Sequence, residues 1–315
     1  MIPEIIKNYI YENIPYPSAI IGCRASSPEI SYKCCEYDLA IFYGTAHMHF
    51  GTIDESKVVH DGLLKVGDHI LEINPISFSP HRNIILLQNM IVLRGCDEFI
   101  KRYVRGFVVD DDDNNNDQVK KYLKFCGKRA IISSLFYHDA IKNSIVRKPI
   151  LAAMWLKLSA YKFLEGLLQL NGLNPMPVHE LDQVTDLVGQ QKTTADAIMS
   201  ALQCIGIERA TRSSITRSLQ GVIKLENSKD SKIARINKDI FLTKVQYLLD
   251  NNMLAACYYY IGKIGSYGLI RRNPIFLSMY SKLIQFSMDL CVDTQNIEKL
   301  HGIIFNAAKR ALNIS

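Results

Sequence analysis

Residues Ala19–Phe42 read AIIGCRASSPEISYKCCEYDLAIF. The stretch holds two short apolar runs. One closes on Gly22-Cys23-Arg24, and the other carries Glu36-Tyr37-Asp38. In a β-strand, residues i and i+2 share a face, so Glu36 and Asp38 project together while Tyr37, Leu39 and Ile41 point to the opposite side. Two carboxylates side by side repel each other. A strand tolerates that where its end faces water or where a cation neutralises both, and Mg²⁺, a hard ion that prefers oxygen ligands, is the usual cation for such a pair.

The flanking sequence extends this pattern. Upstream, an apolar strand runs into Gly22, which lets a ligand approach the backbone, followed by small and hydroxyl residues. Ser26 and Ser27, with nearby N–H groups, can hold phosphate oxygens. Downstream, HILEINPIS (His69–Ser77) sets Glu72 inside a further strand between Leu71 and Ile73. A third carboxylate on the same face would complete a two-metal site.

GCRASSPEISYKCCEYDLAIF resembles the signature of the DNA polymerase β-like nucleotidyltransferase superfamily, a Gly-Ser or Gly-Gly turn followed about a dozen residues later by an acidic-x-acidic strand. MIVLRGCDEF (Met90–Phe99) is similar to a later strand and turn of that family. The resemblance covers roughly residues 1–108. It implies a catalytic set of Glu36, Asp38 and Glu72, the same three residues as metal ligands, and Mg²⁺ as cofactor. It further implies a nucleoside triphosphate as substrate, whose nucleotidyl group passes to an acceptor by a two-metal mechanism. Phosphate contacts then fall to Gly22, Cys23, Arg24, Ser26 and Ser27. Two departures stand out: Cys23 occupies the place of the usual Ser or Gly, and Glu36 replaces Asp. A member of the same fold that has lost turnover and serves as a binding or regulatory protein is the alternative, and Cys23 is the residue that favours it.

Apolar spacing over Ile2–Ile14 predicts a helix. Strands are expected at Ala19–Gly22, Tyr37–Tyr43, Lys57–His60, His69–Ile76 and Asn89–Leu93, with a short helix over Asp97–Arg105. Asp110–Asp117 packs five Asp and three Asn into eight residues, a self-repelling run that reads as a linker or loop. Beyond it, helical spacing predicts helices over Val119–Asn143, Lys148–Leu170, Val178–Val188, Thr193–Cys204, Ser214–Leu225, Ile233–Asn251 and Pro274–Ala311, the last broken near Cys291–Asn296. The expected fold class is therefore α+β: a small mixed sheet domain over 1–108, an acidic linker or loop over 109–118, and an all-α helical domain over 119–315.

Composition narrows the classes. Of 315 residues, 48% are hydrophobic and 22% charged, which suits a folded globular chain. The most apolar helical stretch, Ile150–Leu170, is interrupted by Lys157, Lys162 and Glu165, so it reads as a core helix and not a membrane span. No signal peptide is evident at the N-terminus. With eight cysteines and no CxxC pair, neither a zinc knuckle nor a disulfide framework is indicated, and a cytoplasmic location is expected. Net charge is −7 over residues 1–118 and +13 over 119–315. Two readings fit the basic half: RNA or another anionic acceptor meets it, or it is a lysine-rich solvated surface.

Four further signals stand in the sequence. Lys157 and Lys162 are candidates for the triphosphate, with snorkelling surface lysines as the alternative. His47 and His49, at i and i+2, share a strand face and with His60 suggest a zinc site, but no fourth ligand lies at a convincing spacing, and exposed strand histidines are the alternative. Arg209, Arg212, Arg217 and Lys224 lie at mostly helical spacing, suited to an RNA groove or a solvated helix. Cys257–Gly268 clusters tyrosines beside Lys263, suited to stacking a base or to packing.

Overall fold

The computed structural model describes residues 2–26, 28, 31–43, 63–77, 90–94, 114–190, 192–226, 238–270 and 272–314. Ser27, His47, His49, His60, the strand expected at Lys57–His60 and the helix expected at Asp97–Arg105 lie outside them. The fold is α+β, and the chain divides into two compact units, Met1–Lys121 and Tyr122–Ser315.

The first unit opens with α1 (Glu4–Asn13), which buries Ile6 and Ile10 on one stripe. The strands are β1 (Ser18–Ile21), β2 (Tyr37–Tyr43), β3 (Leu63–Val66), β4 (His69–Ser77) and β5 (Ile91–Arg94), with a single turn, α2 (Cys23–Ser26), after β1. They form one mixed sheet in the order β3-β4-β2-β1-β5. β1 is antiparallel to both β2 and β5, while β2 and β4 run parallel. β3 was not anticipated from sequence. It pairs with β4 as a tight hairpin whose two-residue turn, Gly67-Asp68, needs the positive φ of 60° that Gly67 supplies. Central strand β1 is buried throughout. Ile20, Leu39, Leu71 and Tyr37 pack with the α1 isoleucines on one face, and Ala19, Ile21, Ala40, Phe42 and Ile76 form a second cluster. Alternation along β1 and β2 thus feeds two cores, one on each side of the sheet.

The second unit is helical: α3 (Asn114–Ser144), whose first eight residues fall before the division at Lys121, α4 (Pro149–Leu170), α5 (Glu180–Gln190), α6 (Lys192–Ile205), α7 (Arg212–Glu226), α8 (Lys238–Asp250), α9 (Leu254–Ile270), α10 (Pro274–Met279), α11 (Ser281–Ser287) and α12 (Thr294–Ile314). α3 starts at Asn114, so the last five residues of the expected 109–118 linker are helical; Asn has low helix propensity, but a helix continued by packing downstream overrides it. Small residues let α3 and α4 approach closely. A Cβ on Gly127 would meet the Gly166 carbonyl at 2.8 Å, and Ser134 and Ser159 exchange buried hydroxyl bonds at 2.8–3.0 Å. α9 carries no helical expectation from sequence, yet it buries Ala256 through Ser266 without interruption.

Candidate metal centre

The centre is assembled at one end of the sheet. Parallel pairing of β2 with β4 sets Asp38 directly opposite Glu72, and antiparallel pairing of β1 with β2 sets Asp38 opposite Ile21, next to Gly22. Glu36 lies one residue ahead of β2 and is buried, whereas Asp38 and Glu72 are half-buried. Carboxylate oxygens of Glu36, Asp38 and Glu72 all lie within 4.8 Å of one another. Strand register explains the meeting: i and i+2 bring Glu36 and Asp38 to one side, and the neighbouring parallel strand brings Glu72 to the same level.

Gly22 is required twice over. Its φ is +75°, and a Cβ there would collide with the Asp38 carboxylate. The β1–α2 turn therefore closes directly over the carboxylate group. From Gly22 the chain makes one helical turn, with the N–H groups of Ala25 and Ser26 donating to the Gly22 carbonyl at 3.1 and 2.9 Å.

Side chains expected to contact phosphate are occupied in other ways. Arg24 donates to the carbonyl of Cys35 (2.9 Å) and of Lys33 (3.2 Å) and to Ser31 Oγ (3.3 Å), and its guanidinium stacks 4.9 Å from the Tyr37 ring centroid. It clamps the segment that leads into β2. Ser26 Oγ donates back to the Gly22 carbonyl at 2.9 Å. Cys23 is hydrogen-bonded to Cys35; that bond, burial, and the charges of Asp38 and Glu36 push its thiol far above the usual range. A thiol placed beside carboxylates stays protonated because a thiolate would add a further negative charge to the group.

Neither lysine proposed for the triphosphate is a surface group. Lys157 is buried in the helical unit, where Nζ donates to the Met288 carbonyl at 2.6 Å and to Tyr258 Oη at 3.3 Å. Burial, aided by the nearby Arg209 charge, lowers its pKa to about 7. Lys162 Nζ sits between both Glu165 oxygens at 2.9 and 3.0 Å. Of the two readings of the tyrosine run, packing is the one the structure bears out: Tyr258, Tyr259 and Tyr260 are all buried core residues of α9. Tyr259 Oη donates to Glu180 Oε1 at 2.7 Å, and Lys263 Nζ bonds the same oxygen at 2.5 Å. Burial alone would depress the Lys263 pKa; the Glu180 carboxylate overrides it and raises the value. The sequence offered no warning of this ion pair, because its partners lie 83 residues apart.

The three carboxylates present a hard, anionic oxygen donor set with the ligand count and spacing suited to Mg²⁺ or Mn²⁺. Comparison with family models, with curated proteins and with solved structures finds no match to this chain. Among the described residues no helix is long and apolar enough to cross a membrane.

Proposed function

We propose that the protein is a nucleotidyltransferase of the DNA polymerase β-like type, with a nucleotidyltransferase-like sheet domain followed by a helical domain, acting in the cytoplasm on a nucleoside triphosphate. The observation that carries this reading is the convergence of Glu36 and Asp38 with Glu72, from two separate stretches of the sequence, within 4.8 Å. Clustering like charges costs free energy, and a divalent cation offsets that cost.

Mg²⁺ bound by these three residues would neutralise the triphosphate and lower the pKa of the acceptor hydroxyl. The chain's own part is positional. Asp38 and Glu72, locked in register on adjacent strands, fix two ligand positions, and buried Glu36 fixes the third from the strand entry. Gly22 keeps the turn close enough for backbone N–H groups to meet phosphate oxygens. Arg24 acts as a positioning residue through its clamp on Lys33 and Cys35, which holds Glu36 in place. Positioning and charge neutralisation would supply most of the rate.

A second reading, a binding or regulatory protein that has lost turnover, is favoured by one observation. The position after Gly22 offers a neutral thiol bonded to Cys35 in place of a hydroxyl. Incubating the protein with labelled nucleoside triphosphates, Mg²⁺ and cellular RNA, beside an Asp38→Asn variant, separates the two. Label transfer by the wild type alone supports the enzyme. Mg²⁺-dependent triphosphate binding without transfer supports the second reading, and absence of both removes the site assignment.

A further inference from the structure

Helix α3 has two faces with different occupants. Leu123, Gly127, Ala130, Ile131 and Ser134 are buried, with Gly127 and Ser134 against α4. On the opposite side, Phe125, Ile132 and Phe136 are exposed, Phe136 to 74%. Spacings of 7 and 4 residues align the three on one stripe, and the two phenyl rings stand about 17 Å apart along the axis.

Charge around this stripe is mostly positive, with the exposed Asp139, one turn beyond Phe136, the acidic exception on the same side. From Val119 to His138 the chain contains five Lys and Arg and no Asp or Glu. Lys124 and Arg129 are exposed and Lys128 half-buried; among the described residues none of the three is ion-paired. The Arg129 guanidinium lies 5.7 Å from the Phe125 ring centroid. The basic residues at 209–217 differ in this respect. Arg209 and Arg217 both pair with Asp289, and Arg212 donates to the Leu249 carbonyl. All three guanidinium groups are held by partners within the fold.

We propose that the exposed α3 stripe of Lys124, Phe125, Lys128, Arg129, Ile132 and Phe136 is a binding surface for a single-stranded polynucleotide. Cations interleaved with solvent-facing aromatic rings match the two needs of such a strand, neutralised phosphates and stacked bases. A membrane surface fits less well, because an interfacial helix buries a continuous apolar half, and the apolar half of α3 already faces its own core. A second copy of the chain would bring two like-charged stripes together. The surface acts without metal or triphosphate, so it stands or falls separately from the carboxylate centre.

The test is fluorescence anisotropy of labelled 20-nucleotide oligo(U) and oligo(dT) on the full chain, without Mg²⁺ or triphosphate, at several salt concentrations. Phe125→Ala with Phe136→Ala is expected to weaken binding tenfold or more and leave the salt slope unchanged. Lys124→Ala, Lys128→Ala and Arg129→Ala together should weaken binding and reduce the slope by about two, at ~0.7 per phosphate contact. Lys282→Ala with Lys299→Ala, exposed lysines on other helices, should change little. Preference for oligo(U) over oligo(dT) would mark RNA as the ligand, and equal binding would mark either strand type. Protection of Lys124 and Lys128 from amine acetylation by bound oligonucleotide gives a readout on the wild type alone. Binding insensitive to both α3 variants, equal loss in the control, capture by anionic phospholipid vesicles instead of oligonucleotide, or an α3-dependent shift in oligomeric state instead of binding would each overturn the proposal.

Discussion

Both units gather carboxylates, and they handle the charge in opposite ways. In the helical unit Glu165 and Glu180 are gathered around lysines: Lys263 bonds Glu180 at 2.5 Å and approaches Glu165 at 3.4 Å, and Lys162 bonds Glu165 at 2.9 Å. Burial would raise the Glu165 pKa, but the two ammonium groups lower it. In the sheet unit Glu36, Asp38 and Glu72 are gathered around one another. The first arrangement sets acids against lysines inside a core; the second brings acid against acid, an arrangement that a bound cation would relieve under the enzymatic proposal. Clustered acids alone therefore do not identify a site, and what the cluster surrounds is the distinguishing feature.

The largest expected effect tests the sheet cluster. Under the enzymatic proposal, Asp38→Asn should lower metal-dependent nucleotidyl transfer by at least about a hundredfold, measured as label transfer at saturating Mg²⁺. Stability should move the other way from the helical case. Asp38→Asn removes one of three like charges, so the metal-free protein should unfold at the same or a higher denaturant midpoint. Glu180→Gln leaves buried Lys263 with its main counter-charge gone and should cost about 3–5 kcal/mol in urea unfolding. Equal losses in the two variants would erase the distinction between the clusters.

Gly22→Ala comes next. It forces a Cβ into the Asp38 carboxylate and into a positive φ, and should destabilise the sheet unit by about 1–3 kcal/mol while abolishing divalent-ion protection against unfolding. Isothermal titration with Mn²⁺ reads the second effect independently of the first.

A smaller effect concerns pH. Lys157 has a folded pKa of about 7 against an ordinary 10.5, so between those values the unfolded chain binds more protons. Stability of the helical unit should rise as pH increases from about 7 towards 10, and Lys157→Met should flatten that rise. His301, buried beside His138, has a folded pKa lowered to about 4 by burial and by the neighbouring imidazole. Its contribution is complete above the ordinary histidine range and is lost as pH falls from about 6.5 to about 4. His301→Phe should remove that acid dependence with the smallest change at neutral pH, as urea midpoints across the pH range would reveal.

Local pattern carried much of the fold. Ile2–Ile14 and most helices after residue 119 announce themselves through apolar spacing, because each has one wet and one dry side, and Tyr37–Tyr43 and His69–Ile76 do so as short apolar, β-rich runs. β3 escaped notice since LLKV is four residues long and its pairing depends on the Gly67-Asp68 turn. α9 escaped because a helix enclosed on every side has no polar face to set a period, and Gly262, Gly265 and Gly268 read as loop signals. At Gly262 and Gly265 the glycines make room: a Cβ would meet Tyr161 Oη or the Val222 side chain. Lysines 157 and 263 were illegible for a related reason, since burial of a cation depends on partners supplied by distant helices.

Sequence alone determined that Glu36 and Asp38 share a strand face, that a glycine, Gly22, marks the turn after the first strand, and that the helical half carries the positive charge. Each follows from local geometry or simple counting. Only the tertiary structure decided that Glu72 stands level with Asp38, because parallel register is set by side-chain packing between strands and not by either strand's own residues. It likewise decided that Arg24, Arg209 and Arg217 are committed within the fold while Lys124, Lys128 and Arg129 face outward. A charge's availability depends on which neighbours the chain brings within about 4 Å of it, and no single stretch of sequence contains those neighbours.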